Sequence, residues 1–137
     1  MHGLHLTADL SGCASAKAAM TEPDALRSAC LAAVQDCGLQ AVGSLVHRFP
    51  PRPGQTQAPG ITGVVLLAES HLALHTWPEL GVVTLDVFVC NLGGDNSAAA
   101  EALLTRLAQL FEPESVQSGR LLRGHWPGPG GRDPGRA

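Results

Sequence analysis

The chain has 137 residues, of which 45% are apolar and only 4% aromatic, with no tyrosine. This length and composition suit one globular domain whose core is built from valine, leucine and alanine. The net charge of -3 and the lack of a basic stripe argue against a nucleic-acid partner, and no apolar run reaches the roughly 18 residues of a membrane span.

The first half of the chain is predicted to fold as a strand, a helix and a second strand. Residues 2–10 alternate leucine and alanine with polar residues, as in a half-buried strand. Residues 22–38 have one apolar face and predict a helix that ends at Gly38. Residues 39–49 predict the second strand, and a proline- and glycine-rich loop over 50–60 follows it.

The second half is predicted to contain three more strands and one helix. Residues 61–70 and 81–90 are nearly continuous apolar strands, with a short continuation or turn over 72–75 between them. A helix is predicted over 98–111 and a last short strand over 116–124. This order predicts a two-layer α+β sandwich, an antiparallel sheet with two helices on one face.

The tail, the N-terminus and the cysteines predict the domain bounds and the cellular compartment. We assign residues 1–124 to one domain and expect the glycine- and proline-rich tail 125–137 to be disordered. The N-terminus has no charged-then-apolar leader and the four cysteines form no CxxC pairs. A cytoplasmic protein with free thiols is therefore expected.

Reactive side chains are concentrated in 68–90, AESHLALHTWPELGVVTLDVFVC, although most of this segment is apolar. It contains a Glu-Ser-His, a second histidine, a Trp-Pro-Glu and a final cysteine. No GxSxG motif surrounds Ser70, which argues against a hydrolase nucleophile. The histidine and cysteine spacings fit no standard zinc site, so no metal is predicted.

The stretch 60–90, GITGVVLLAESHLALHTWPELGVVTLDVFVC, resembles the core of the short bacterial and archaeal S-adenosylmethionine decarboxylases, which are pyruvoyl-dependent. The family pattern is a Gly-x-(Ser/Thr)-Gly strand, Glu-Ser-His, a histidine five residues after the serine, Thr-Trp-Pro-Glu, and a cysteine that closes the next strand. The matching residues of this chain are Thr62, Ser70, His75, Glu79 and Cys90. The resemblance extends more weakly over residues 3–110.

The resemblance implies a proenzyme that cleaves itself between Glu69 and Ser70. Ser70 would attack the carbonyl of Glu69, and elimination would leave at residue 70 a pyruvoyl group that forms a Schiff base with the substrate. The family assigns the base in this processing to His75 and a supporting hydroxyl to Thr62. Cys90 is implied as the proton donor during decarboxylation.

Decarboxylation of an α-amino acid needs an electron sink, which is most often lysine-bound pyridoxal phosphate. The chain has a single lysine, Lys17, which lies outside the reactive segment. A lysine-bound cofactor is therefore not expected, which agrees with the pyruvoyl group that the resemblance implies.

The resemblance also implies a substrate and an assembly. Glu79 would hold the ribose hydroxyls, since a carboxylate can accept two hydrogen bonds from a diol, and Phe49 would stack on the adenine. Trp77 is expected to pack rather than to contact the substrate. The implied product is decarboxylated S-adenosylmethionine, the aminopropyl donor in spermidine synthesis. A homodimer of cleaved protomers, paired edge to edge, is also implied.

The chain departs from the family pattern at three places. The loop after Phe49 is longer, Asn91 stands where glycine is common, and Val46 stands where an aromatic residue is frequent. Two alternatives therefore stay open: a pyruvoyl-dependent decarboxylase of arginine or ornithine, and an unprocessed paralogue that regulates an active partner. The retained Glu79 favours a ribose, and the intact motif favours an active enzyme.

Overall fold

The computed structural model describes residues 2–125, which form six strands and three helices. The strands are β1 Gly3–Ser11, β2 Ala41–Arg48, β3 Ile61–Leu67, β4 Ser70–Trp77, β5 Val82–Cys90 and β6 Ser115–Arg123. The helices are α1 Ala18–Thr21, α2 Pro23–Asp36 and α3 Ser97–Leu110. Apart from His125, the tail predicted to be disordered lies outside the described residues. None of the described helices is long and apolar enough to cross a membrane.

The strands form one antiparallel sheet in the order β2-β3-β4-β5-β1-β6. Every second side chain of β1, β3, β4 and β5 is buried, because side chains alternate between the two faces of a strand. Helix α2 packs against β2 and β3, and α3 packs against β1 and β5. The predicted two-layer α+β sandwich is confirmed, with the single-turn helix α1 as an additional element.

We call the opposite side of the sheet the open face, since none of the described helices covers it. Its side chains are half-buried or exposed. Among them are those of His5, Leu45, Thr62, Leu66, His71, His75, Asp86, Phe88 and Leu121.

One part of the strand prediction is wrong. The segment 61–70 is not a single strand, because β3 ends at Leu67 and a two-residue turn reverses the chain. Residues 72–75 are not a short continuation but the centre of the eight-residue strand β4. The turn contains neither glycine nor proline, so the sequence carries no local signal for it.

Candidate active site

The predicted site residues fall into two groups at opposite ends of β4. We call Glu69, Ser70 and Cys90 the cleavage end, and Phe49, Thr62, His75 and Glu79 the pocket end. Ser70 and His75 are five residues apart on one strand, which separates their Cα atoms by about 17 Å. A single protomer therefore does not bring Ser70 into contact with its own His75.

The cleavage end is built on the tight turn between β3 and β4. Leu67 pairs with Ser70, so Ala68 and Glu69 form a two-residue hairpin loop. Glu69 has a φ of 59°, the left-handed region that costs a residue with a Cβ roughly 1–2 kcal/mol. Ala68 does not share this positive φ, so the loop is not the type I′ turn that best suits a two-residue hairpin. The peptide bond between Glu69 and Ser70 thus follows a strained residue.

A hydrogen bond from backbone to side chain links Cys90 and Ser70, the two other members of the cleavage end. The amide of Cys90 donates to Ser70 Oγ over 3.1 Å, which fixes the hydroxyl oxygen at the start of β4. Cys90 itself is only 8% exposed. The loop that follows is held by Asn91, whose Oδ1 accepts from the Asn96 amide at 2.8 Å, while Asn96 Nδ2 donates to the carbonyl of Cys90 at 3.0 Å. Asn91 therefore has a structural role beside the site.

Position in the fold, and not burial, distinguishes Cys90 from the other cysteines. All four cysteines are free. Burial raises the pKa of Cys30 to about 12, so this thiol stays protonated at any physiological pH. Burial also raises the pKa of Cys13, against an opposing backbone hydrogen bond. Neither thiol adjoins Ser70, and Cys90 is the cysteine that the fold brings to it.

The pocket end contains a hydrogen-bonded pair on the open face. Thr62 and His75 lie directly opposite each other on β3 and β4, and Thr62 Oγ1 is 3.0 Å from His75 Nδ1. Behind the pair, the buried Thr76 accepts from the amide of Ile61 at 2.9 Å and donates to the carbonyl of Met20 at 2.7 Å. Ile61 precedes Thr62, and Thr76 follows His75. These two hydrogen bonds therefore hold the backbone next to both members of the pair.

An aromatic group and a carboxylate complete the pocket end. Trp77 lies between Phe49 and His75, with ring centroids 6.2 Å and 5.9 Å away. Glu79 follows in the turn between β4 and β5, and Arg52 Nη1 is 3.9 Å from its Oε1. Its Oε2 is buried and has no hydrogen-bond partner among the described residues. The Glu79 carboxylate is therefore free to accept hydrogen bonds from a ligand.

Sequence reasoning missed a polar cluster on the open face beside the cleavage end. His5 Nε2 is 3.0 Å from Asp86 Oδ2, and Arg123 Nη1 donates to His5 Nδ1 at 3.2 Å. His71 Nε2 lies 3.6 Å from the same Asp86 oxygen, beyond a hydrogen bond. The sequence did carry a signal for this cluster, because Asp86 is a charged residue within an otherwise largely apolar strand.

Two further features do not belong to the site. Val46 packs against the core on the helix side of the sheet, next to Gly63, so this departure from the family pattern does not alter the open face. A cleft of about 510 Å³ between α3 and β6 also lies on the helix side. None of the predicted site residues lines that cleft.

Comparisons with known proteins define the class of protein to which this fold and site belong. The model of the S-adenosylmethionine decarboxylase family matches residues 4–124. The chain belongs to the S-adenosylmethionine decarboxylase family. Its relatives are of the short prokaryotic class that the sequence resembles.

Among the similar proteins are two named S-adenosylmethionine decarboxylase proenzyme. The protein from Archaeoglobus fulgidus is 39% identical over 122 residues, covering 89% of this chain and 97% of the relative. The protein from Aquifex aeolicus is 41% identical over 108 residues, covering 79% and 71%. The crystal structure of the Aquifex aeolicus adenosylmethionine decarboxylase superposes with a TM-score of 0.77 at 31% identity, covering 95% of this chain and 97% of that one.

Proposed function

We propose that the chain is a self-processing, pyruvoyl-dependent decarboxylase that converts S-adenosylmethionine to decarboxylated S-adenosylmethionine. The observation that carries the proposal is the strained Glu69, with Ser70 Oγ held by the Cys90 amide immediately after it. The residues fit a pyruvoyl group made from Ser70, because its precursor hydroxyl is held by the Cys90 amide and the residue directly before it is strained. Once formed, the pyruvoyl carbonyl supplies the electron sink that decarboxylation requires.

The chain's own residues have separate roles in this processing. Ser70 Oγ attacks the carbonyl carbon of Glu69 and displaces the Ser70 nitrogen, so the amide becomes an ester, and release of the left-handed φ at Glu69 favours this acyl shift. His75 of a second protomer takes the Cα proton of Ser70, and the hydrogen bond between Thr62 and His75 Nδ1 holds the imidazole in one orientation. Elimination then breaks the Cβ–Oγ bond, so residues 1–69 leave with a new carboxyl end. Water replaces the nitrogen of residue 70, which leaves as ammonia, and residues 70–137 keep the pyruvoyl group.

The sheet order supports a cleaved protein that stays in one piece. The first fragment supplies β1, β2 and β3, and the second supplies β4, β5 and β6. In the sheet, β4 and β5 lie between β3 and β1, and β1 lies between β5 and β6. Three ladders therefore join the fragments, so we expect them to separate only when the protein is unfolded.

We further propose that the enzyme is a homodimer in which each active site combines two protomers. The cleavage end and the pocket end are too far apart along β4 to act on one another within one protomer. A two-fold axis perpendicular to the strands, between two open faces, would bring each cleavage end to the partner's pocket end. Leu45, Leu66 and Leu121 on the open face are 68%, 51% and 59% exposed, which favours this face over the edge-to-edge pairing expected from the sequence.

The remaining expectations are also proposals. We take residues 1–124 as one domain, supported by the single sheet from Gly3 to Arg123. The cytoplasm is the proposed compartment, supported by the four unpaired cysteines. No observation favours the regulatory paralogue, since the cleavage end is intact.

S-adenosylmethionine is the proposed substrate, and the unpaired Glu79 Oε2 supports a ligand with hydroxyl donors at the pocket end. The direct test compares release of carbon dioxide from S-adenosylmethionine, arginine and ornithine. We expect turnover of S-adenosylmethionine. Turnover of arginine or ornithine alone would leave the fold and the cofactor proposal intact while rejecting the substrate.

The change Glu79→Gln is expected to weaken binding of S-adenosylmethionine about 10- to 100-fold, because a hydrogen bond to a charged group contributes roughly 1.5–3 kcal/mol. Self-cleavage should survive, since Glu79 does not adjoin Ser70. Titration of the cleaved variant measures the affinity. Glu101→Gln, on α3 and paired with Arg120, is the matched control and should bind normally. Equal affinities in the two variants would remove Glu79 from the substrate site.

The change Cys90→Ala is expected to leave cleavage intact and to lower decarboxylation about 100-fold, the usual contribution of a positioned proton donor. Cleavage survives because Ser70 Oγ is held by the backbone amide of residue 90, which alanine retains. Mass spectrometry reports the cleavage, and carbon dioxide release reports turnover. Cys37→Ala is the control. Turnover by Cys90→Ala at the rate of this control would show that Cys90 only packs.

A further inference from the structure

The loop 50–60 presents Arg52 from an ordered turn. The amide of Gln55 donates to the carbonyl of Arg52 at 3.0 Å, and the amide of Arg52 donates to Gln55 Oε1 at 3.0 Å. Between them lie Pro53 and Gly54, and Gly54 has a φ of 79°, the arrangement of a type II turn. Arg52 therefore extends from a backbone that is fixed on both sides.

Arg52 is the cation that faces the Glu79 carboxylate. Its Nη1 lies 3.9 Å from Glu79 Oε1, while Glu79 Oε2 is buried and unpaired among the described residues. The neighbouring Arg48 is engaged elsewhere, with the carbonyl of Thr21 at 2.9 Å and with Glu22 at 3.3 Å. The positive charge of Arg52 therefore offsets the negative charge of Glu79 at the pocket end.

We propose that Arg52 determines specificity by excluding substrates that bring a positively charged group to Glu79. The inference rests on the proposed function and bears on which amino acid the pocket end accepts. A lone Glu79 would attract the guanidinium of arginine or the terminal ammonium of ornithine. With Arg52 opposite, such a cation gains nothing from the pair, whereas the neutral ribose diol of S-adenosylmethionine brings no charge that Arg52 would repel. Specificity thus comes from a repulsive element as well as an attractive one.

The test measures binding in the Ser70→Ala background, where no turnover occurs, by equilibrium dialysis with S-adenosylmethionine, arginine and ornithine. Inhibition of carbon dioxide release by arginine and ornithine gives the same comparison in the cleaved protein. Arg52→Gln should raise the affinity for arginine and ornithine about threefold to tenfold, as expected from removing one charge about 4–5 Å away near water. The gain should shrink as salt is raised, because Arg52 is 68% exposed on its side chain.

Arg48→Gln removes the same charge from the end of β2 and is the matched control, which should show no gain. If Arg52→Gln matches this control in both measurements, the role of Arg52 is rejected and the proposed function is unaffected. If the protein with Arg52 intact already binds arginine or ornithine more tightly than S-adenosylmethionine, the proposed substrate fails instead. The two failures are thereby distinguished.

Discussion

Purified protein is expected to consist of two fragments, residues 1–69 and 70–137, and Ser70→Ala is expected to remain a single chain. The reason is local: the hydroxyl of Ser70 belongs to the residue that directly follows the strained Glu69, and the Cys90 amide holds its oxygen. Denaturing intact mass measures both results, and the second fragment should lack a free amino terminus. Under native conditions the fragments should migrate together, because three strand ladders join them.

Ser44→Ala, on the edge strand β2, is the control and should cleave completely. An uncleaved wild-type chain that still decarboxylates S-adenosylmethionine would refute the pyruvoyl proposal. An uncleaved and inactive wild-type chain would instead support the regulatory paralogue. Fragments that separate without denaturant would contradict the interleaved sheet rather than the chemistry.

Co-expression of Ser70→Ala with His75→Ala is expected to restore cleavage that neither variant shows alone. In the mixed dimer, the intact Ser70 of the His75→Ala chain meets the intact Thr62–His75 pair of the other chain. Random pairing puts about half of the His75→Ala chains in such dimers, so about half of them should be cleaved. The fragments carry distinct masses, so intact mass identifies which chain was cut.

The control replaces Ser70→Ala by the double variant Ser70→Ala/His75→Ala, which has no intact pocket end and should restore nothing. Cleavage of His75→Ala alone would remove His75 from processing altogether. Mixed dimers that form, as shown by native mass, but stay uncut would mean that His75 acts within its own protomer. That outcome would require β4 to rearrange, since its extended form separates the two residues by about 17 Å.

Sequence spacing was sufficient for the types of most elements, and the resemblance to the family supplied the predicted site residues. Alternation predicted β1, and the 3.6-residue period predicted α2 and its end at Gly38, where φ is +78°. The order of strands and helices then led to the α+β sandwich. The turn at Ala68 and Glu69 could not be predicted, because an apolar run gives the same pattern whether it continues straight or folds back.

The sequence by itself determined which side chains we predict to carry the chemistry: a serine after a glutamate, a histidine five residues on, a glutamate and a closing cysteine. Only the tertiary structure decided which of them meet. A strand advances about 3.3 Å per residue, so Ser70 and His75 are close in sequence but distant in space. Pairing between strands has the opposite effect, because it brings together residues that are distant in sequence. It brings Cys90 to Ser70 and His75 to Thr62, and it brings Asp86 to His5, which is 81 positions away. Strand register depends on the packing of the whole sheet, and no short stretch of the chain specifies it.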